Sequence, residues 1–177
     1  INIIYYNNSG TAFQPMVGDL DNNGANEIVV FSKDNLIIFN KDLEVIAKQK
    51  LGYLRGQFDI ENMDNEPYLE MIAVVNNSEG KDTFKIIEFD GTQLKTETSF
   101  DVTGQGGYSD IRCIDFDNDN VKECIFRDFN AIVHAYQINA TNQFDDGLNI
   151  NISDATDGVY TSTLNLVPSF VDFDRDN

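Results

Sequence analysis

The chain has 177 residues, a hydrophobic fraction of 41% and a net charge of -18, from 12 basic and 30 acidic residues. The hydrophobic fraction is sufficient for a buried core, which excludes a wholly disordered chain. The charge excludes nucleic acid as a partner, because phosphates would repel it. No apolar run approaches the roughly 20 residues of a membrane helix, so we expect no direct membrane insertion. The sequence starts without Met and stops in an acidic cluster, so we expect both ends to be cuts from a longer chain.

One acidic motif recurs along the chain and divides it into similar units. It reads VGDLDNNGANEIVV from Val17, CIDFDNDNVKECIF from Cys113 and FVDFDRDN from Phe170. A degraded copy, FDIENMDNEPYLEMIAVV, begins at Phe58. The spacing is in the range of propeller blades, which repeat about every 40–50 residues, with some stretching by loop insertions.

Short β-rich runs separated by turn residues follow each copy in chain order. They are EIVVFS, LIIFN and VIAKQKL, then LEMIAVV, TFKIIEFD and LKTETSFDV, then ECIFRD, AIVHAYQI and LNINISD. With the strand before each acidic loop, a unit has four strands. The sequence predicts an all-β fold, a β-propeller segment of four-stranded antiparallel blades, with about three blades and the start of a fourth. We expect 1–177 to be part of one propeller domain, with units at 13–52, 53–104, 105–165 and a truncated 166–177.

Oxygen-bearing residues alternate in the first acidic loop, DLDNNGANE. Alternation lets a tightly curled loop point its side chains inward, and Gly24 permits the positive φ that such a turn often needs. Five protein oxygens, completed by water, suit the six to eight ligands of calcium. The predicted ligands at positions 1, 3, 5, 7 and 9 are Asp19, Asp21, Asn23, the carbonyl of Ala25, and Glu27.

The other copies differ in completeness. In the third copy, Asn120 replaces the glycine, and Asn tolerates the left-handed region well. The second copy keeps Asp59 and Glu61, but Met63 replaces its third oxygen ligand, so we expect it to have lost most of its affinity. The predicted ligands of the third copy are Asp115, Asp117, Asp119, the carbonyl of Val121, and Glu123, and those of the fourth, which stops before position 9, are Asp172, Asp174 and Asp176.

Three alternatives to a calcium loop fit this motif less well. An EF-hand needs a bidentate Glu at position 12 and flanking helices, but position 12 is Val30 or Phe126 in a β-rich run. Acidic hairpin turns without a metal are simpler, since Asp, Asn and Gly are favoured in turns, but the repeated 1-3-5-9 spacing favours a metal site. Magnesium fits less well, because it keeps several waters in a strict octahedron.

The pattern DxDxDGxxE between two apolar strands resembles the calcium loop of the FG-GAP repeats of integrin α-subunits and of related VCBS-type repeats. The resemblance extends from about Phe13 to the end of the chain. It implies Ca²⁺ as cofactor, a loop joining the first two strands of each blade, and a propeller rim that calcium rigidifies. It also implies a non-catalytic structural, adhesion or interaction role outside the cell or at its surface.

The partners expected from this resemblance are other protein chains or the remainder of the same propeller. Two further functions stay open at this point. One is a carbohydrate-binding propeller, in which Tyr53, Tyr108 or Tyr160 would contact glycans. The other is an accessory domain of a larger secreted enzyme.

The remaining candidate residues bear on the cellular compartment. Cys113 and Cys124 should face the blade interior on adjacent strands, either as two small buried hydrophobes or as a disulfide. His134, the only histidine, is predicted to be a packing residue rather than a catalyst. Sequons for N-glycosylation, which favour the secretory pathway, occur at Asn7, Asn76, Asn139 and Asn151.

Overall fold

The computed structural model describes seven stretches of the chain, and all of their regular structure is β-strand. Within these stretches no helix exists that is long and apolar enough to cross a membrane. The predicted all-β fold is therefore confirmed for this part of the chain. The described residues are 13–64, 66–76, 80–102, 111–115, 120–127, 132–138 and 144–151.

Three antiparallel sheets follow one another along the sequence. The first sheet contains β1 (Met16–Gly18), β2 (Glu27–Ser32), β3 (Asn35–Phe39) and β4 (Val45–Lys50). The middle sheet contains β5 (Tyr53–Leu54), β6 (Asp59–Glu61), β7 (Glu70–Asn76), β8 (Asp82–Phe89) and β9 (Leu94–Asp101). The third sheet contains β10 (Arg112–Ile114), β11 (Glu123–Arg127), β12 (Ile132–Ile138) and β13 (Phe144–Asn151).

The first and third sheets are meanders in which strands adjacent in sequence pair in space, and β6 to β9 of the middle sheet pair in the same way. The middle sheet has a fifth strand because the short β5 and β6 both pair with β7. The sheets lie inside the predicted units 13–52, 53–104 and 105–165, in that order. The predicted fourth unit, 166–177, lies outside the described residues.

The central strand β7 shows how the sheets are stacked. Its residues are buried on both faces, as in strands that are covered from both sides. Met71, Ala73 and Val75 belong to a core shared with the first sheet. Ile72 and Val74 belong to a core shared with the third sheet. The middle sheet is therefore packed between the other two.

Aromatic side chains fill the core between the middle and third sheets. Phe84 of β8 is fully buried, and its ring centroid lies 6.0 Å from that of Phe126 on β11. His134 is 4% exposed, and its ring stacks on those of Phe126 and Tyr136 at 5.3 Å and 6.0 Å. His134 is thus the packing residue that the sequence predicts.

The same irregularity occurs in all three sheets, between the last two strands of each. Pairing shifts by one residue after Ile38, Ile86 and Ala135, as in a β-bulge. In each sheet one residue of the last strand (β4, β9 or β13, called the outer strand below) has no pairing partner on the strand before it. These residues are Ile46, Glu97 and Gly147.

Truncation of Phe84 tests the packing of the middle sheet against the third. We expect Phe84→Ala to lower the free energy of unfolding by about 3–5 kcal/mol, because it leaves a cavity in a closed core. Val45→Ala on β4, where the side chain is 56% exposed, is the control and should change it by less than about 1 kcal/mol. Urea unfolding measures both, and equal effects would contradict this packing.

Candidate metal centre

The loop between β1 and β2 brings three predicted ligands together. Carboxylate oxygens of Asp19, Asp21 and Glu27 lie within 4.8 Å of one another. The chain turns sharply here, with positive φ at Asn22 (55°) and at Gly24 (87°). A group of oxygen atoms at this spacing can hold a metal ion.

Backbone hydrogen bonds fix the side chains of this loop. The carboxylate of Asp19 accepts from the backbone N–H of Asn23 at 3.0 Å and of Gly24 at 2.9 Å. Asp21 accepts from Asn23 N at 3.2 Å. The side-chain oxygen of Asn23 accepts from the backbone N–H of Ala25 at 2.8 Å. The acidic groups are therefore held in place by the loop itself.

Glu27 fastens the loop to the sheet. Its side chain is buried, and Oε2 accepts from the backbone N–H of Leu20 at 2.9 Å. Leu20 is fully buried in the core between the first and middle sheets. Burial raises the pKa of Glu27, the Leu20 N–H opposes that rise, and the charges of Asp21 and Asp19 add to it. A cation among these carboxylates would relieve that cost.

The middle sheet supports the first loop from the side. Leu69 donates its backbone N–H to the carbonyl of Leu20 at 3.0 Å. The turn between β8 and β9 also approaches, and a Cβ added to Gly91 would lie 2.8 Å from Oδ2 of Asp21. Asp90 shapes this turn, and hydrogen bonds from the Thr92 hydroxyl and from the backbone of Gln93 and Thr92 lower its pKa to about 2.

The third loop repeats the hydrogen bond of the first where it is described. Asn120 donates its backbone N–H to Oδ2 of Asp115 at 2.9 Å, as Gly24 does to Asp19. Asn120 has a positive φ of 67°, so it takes the conformation expected when Asn replaces glycine. Glu123 is buried at the start of β11, and Val121 is half-buried. Asp117 and Asp119 lie outside the described residues.

The second loop begins three residues later than the sequence predicts, at Asn62. Glu70 accepts from the backbone N–H of Met63 at 2.6 Å through Oε2, the bond that Glu27 makes with Leu20. The strand register agrees, because the residue before each loop pairs with the loop's last glutamate. These pairs are Gly18 with Glu27, Glu61 with Glu70, and Ile114 with Glu123.

Asp59 and Glu61 therefore lie before the loop, on β6, and both contact the third sheet. Asp59 accepts from the backbone N–H of Cys113 at 2.9 Å and lies 3.4 Å from Nη1 of Arg112. Burial raises the pKa of Asp59, while the Cys113 N–H and Arg112 oppose the rise. Glu61 pairs with Lys122 at 2.6 Å. Neither residue is brought together with Glu70 in a metal-binding group.

Pro67 changes the shape of the second loop. It stands where Gly24 stands in the first loop, so it has no N–H to donate and cannot adopt a positive φ. The loop is closed instead by Asn62, whose side-chain nitrogen donates to the carbonyl of Glu66 and, at 3.1 Å, to that of Tyr68. The amide thus contacts the backbone oxygen at the seventh position, which in the first loop is a predicted ligand.

A second acidic group was missed by sequence reasoning. Oxygens of Asp64, Glu70 and Glu97 lie within 4.8 Å of one another, and Glu97 comes from β9 rather than from the loop. Burial raises the pKa of Glu70 to about 8; the Met63 N–H opposes this, and the charges of Asp64, Glu97 and Glu88 add to it. If the loops are aligned on their last glutamates, Glu70 and Glu27, Asp64 takes the position of Asp21. Nothing in the sequence spacing indicates Glu97.

The structure joins Cys113 and Cys124 in a disulfide between directly opposite residues of β10 and β11. Asn76 donates its side-chain N–H to Asp82 at 2.9 Å, and Asn151 ends β13. Tyr53 is exposed on β5. The other predicted site residues, which lie outside the described part, are Asn7, Tyr108, Asn139, Tyr160, Asp172, Asp174 and Asp176.

Comparison with known proteins gives no family assignment. No protein-family model matches the chain, and no curated protein matches it either.

Substitution of Gly91 tests the contact between the first loop and the middle sheet. Gly91→Ala should destabilise the protein by more than about 1 kcal/mol, because the methyl group adds a clash with Asp21 to the cost of a positive φ. Gly80→Ala is the matched control, since Gly80 has a similar φ of 79° and nothing within 4 Å of the added Cβ. Thermal unfolding compares them, and equal losses would contradict the contact.

Substitution of Asp59 separates a link between sheets from a metal ligand. Asp59→Ala should cost about 1–3 kcal/mol of unfolding free energy, because the buried N–H of Cys113 loses its acceptor. The loss should be the same in calcium and in chelator. Asp42→Ala, at a side chain 63% exposed, is the control. A loss confined to calcium would assign Asp59 to a metal site instead.

Proposed function

We propose that the three sheets are consecutive blades of a β-propeller and that the acidic loops of the first and third sheets bind Ca²⁺. The propeller assignment is supported by the repeated meander, by the packing of the middle sheet on both neighbours and by the register shift common to all three sheets. Antiparallel four-stranded sheets repeated in series are the building units of propellers.

The observation that carries the calcium proposal is the group formed by Asp19, Asp21 and buried Glu27. Its donors are all oxygen atoms, which suit calcium rather than zinc, a metal that favours nitrogen and sulfur ligands. The loop adds Asn23 and the carbonyl of Ala25 as further oxygen donors. An irregular set of carboxylate, amide and carbonyl oxygens matches the flexible coordination of calcium better than the strict octahedron of magnesium.

The role of the metal is structural. Calcium cancels the repulsion among the carboxylates and fixes the hairpin that opens each blade. The disulfide of Cys113 and Cys124 pins the same hairpin in the third sheet and supports an oxidising, extracellular compartment. The chain then serves as a structural or adhesive module whose partners are other protein chains or the remainder of its own propeller.

Removal of calcium tests this function. We expect excess EDTA to lower the melting temperature by about 5 °C or more, because calcium bound only to the folded state stabilises it by mass action. Asp19→Ala combined with Asp115→Ala should remove the part of this difference that the first and third loops contribute. The matched control combines Asp42→Ala with Asp101→Ala, which removes two exposed carboxylates outside the loops.

The chelator effect should persist in the control variant. A melting temperature that is the same in calcium and in EDTA for the unsubstituted protein would contradict the proposal. So would a chelator effect that the loop variant retains in full.

A further inference from the structure

We propose that Asp64, Glu70 and Glu97 form a second divalent-cation site in the middle sheet, built differently from the first loop. This proposal rests on the proposed function and extends it to a second position. The second site can be disproved while the first site stands. The three side chains come from the β6–β7 loop, from the first residue of β7 and from the middle of β9. Their oxygens converge within 4.8 Å.

Two buried carboxylate oxygens in this region lack the partners that burial demands. Glu70 is 0% exposed, and its Oε1 has no hydrogen-bond partner among the described residues. Glu88 lies opposite Glu70 in the pairing of β7 with β8 and is 6% exposed. Its Oε2 likewise has no hydrogen-bond partner among the described residues. Buried polar atoms are nearly always satisfied, so an orphaned oxygen within an acidic group indicates a ligand.

The charge around these oxygens points to a cation. Glu88 interacts electrostatically with Glu97, Glu66 and Asp64, so five carboxylates, Glu70 included, lie near this end of the sheet. Like charges at such distances repel, by about 1 kcal/mol per pair in water and more where they are partly buried. A divalent cation bound between them removes this repulsion and supplies Oε1 of Glu70 with a partner.

The β-bulge explains why this site occurs in the middle sheet. The residue left out of the pairing on the outer strand is Glu97 here, but Ile46 in the first sheet and Gly147 in the third. Bulges re-aim side chains, and this one adds a carboxylate that the loop itself does not contain. Across from the loop's glutamate, the middle sheet likewise carries Glu88, whereas the third sheet has Gln137 opposite Glu123.

The loop's own backbone is less available than in the first loop. Asn62 donates its side-chain N–H to the carbonyl of Tyr68 at 3.1 Å. The carboxylate from β9 compensates for that carbonyl as an oxygen donor. Three carboxylates with water completing the shell suit a hard divalent ion, and calcium is the ion we assign.

Lys95 is the competitor for this site. Its Nζ lies 3.1 Å from Oε1 of Glu97, and its side chain is 62% exposed. The Glu97 side chain is only 14% exposed, but the ammonium group of Lys95 is screened by water, so a divalent ion can displace it or share Glu97 with it. Removal of Lys95 should therefore strengthen cation binding.

The test is isothermal titration of calcium into the full chain after chelator treatment. Glu97→Gln should lose one equivalent of bound calcium or weaken its binding at least about tenfold, as loss of a metal-supporting group does. Asp21→Asn should lose a different equivalent, and the double variant should lose both. Glu44→Gln, which removes an exposed carboxylate in the β3–β4 turn, is the matched control and should bind like the unsubstituted protein.

A second pair of variants tests the competitor. Lys95→Gln should tighten the same binding step by about two- to fivefold, because it removes the ammonium group that competes for Glu97. Lys48→Gln, at an exposed position on β4, changes net charge equally and should leave that step unchanged. If Glu97→Gln does not fold, Asp64→Asn replaces it, since Asp64 is exposed and should lose the same equivalent.

The outcomes separate the two proposals. If Glu97→Gln binds calcium as the unsubstituted protein does, while Asp21→Asn loses an equivalent, the second site is overturned and the first stands. If the unsubstituted protein takes up no calcium, both are overturned.

Discussion

A buried glutamate that holds an acidic loop onto its sheet is the interaction on which the rest of the structure depends. In the first two sheets this glutamate, Glu27 or Glu70, accepts the backbone N–H of the loop's second residue. The side chain of that second residue, Leu20 or Met63, lies in the core between sheets. One hydrogen bond thus ties the loop to its own sheet and to the packing of the next one.

This arrangement places a carboxylate where water cannot solvate it well. Burial is the largest cause of the raised pKa of Glu27 and of Glu70, and neighbouring carboxylates add to it. Two such charges about 4 Å apart repel by about 1 kcal/mol in water and by about 4 kcal/mol near a protein surface. A protein stable by only about 5–15 kcal/mol does not tolerate several such pairs without compensation, and the cation that we propose would supply it.

The loops differ in their backbone conformation and in the hydrogen bonds that close them. Gly24 and Asn120 adopt a positive φ and direct a backbone N–H to the first aspartate. Pro67 cannot do either, and the amide of Asn62 closes that loop by donating to backbone carbonyls. With its loop closed in this way, the middle sheet presents Glu97 from a bulge on β9. The common scaffold therefore carries different sets of oxygen atoms.

The sequence was sufficient to predict the strands and the first loop, because alternating acidic residues and short β-rich runs are local signals. The sequence predicts the start of the second loop at Asp59, because an acidic residue there resembles the first ligand of the other loops. The start of the loop is set instead by its spacing from Glu70. Glu97 could not be predicted, because a one-residue register shift between β8 and β9 is a tertiary feature. The two alternatives for Cys113 and Cys124 also needed the strand register, which sets them directly opposite each other.

The most direct test of calcium binding by the first loop is anomalous diffraction at long wavelength from crystals grown in calcium, which locates the ions themselves. We expect a calcium peak about 2.3–2.6 Å from carboxylate oxygens of Asp19, Asp21 and Glu27. Crystals grown in millimolar calcium that show no anomalous peak beside Glu27 would contradict it.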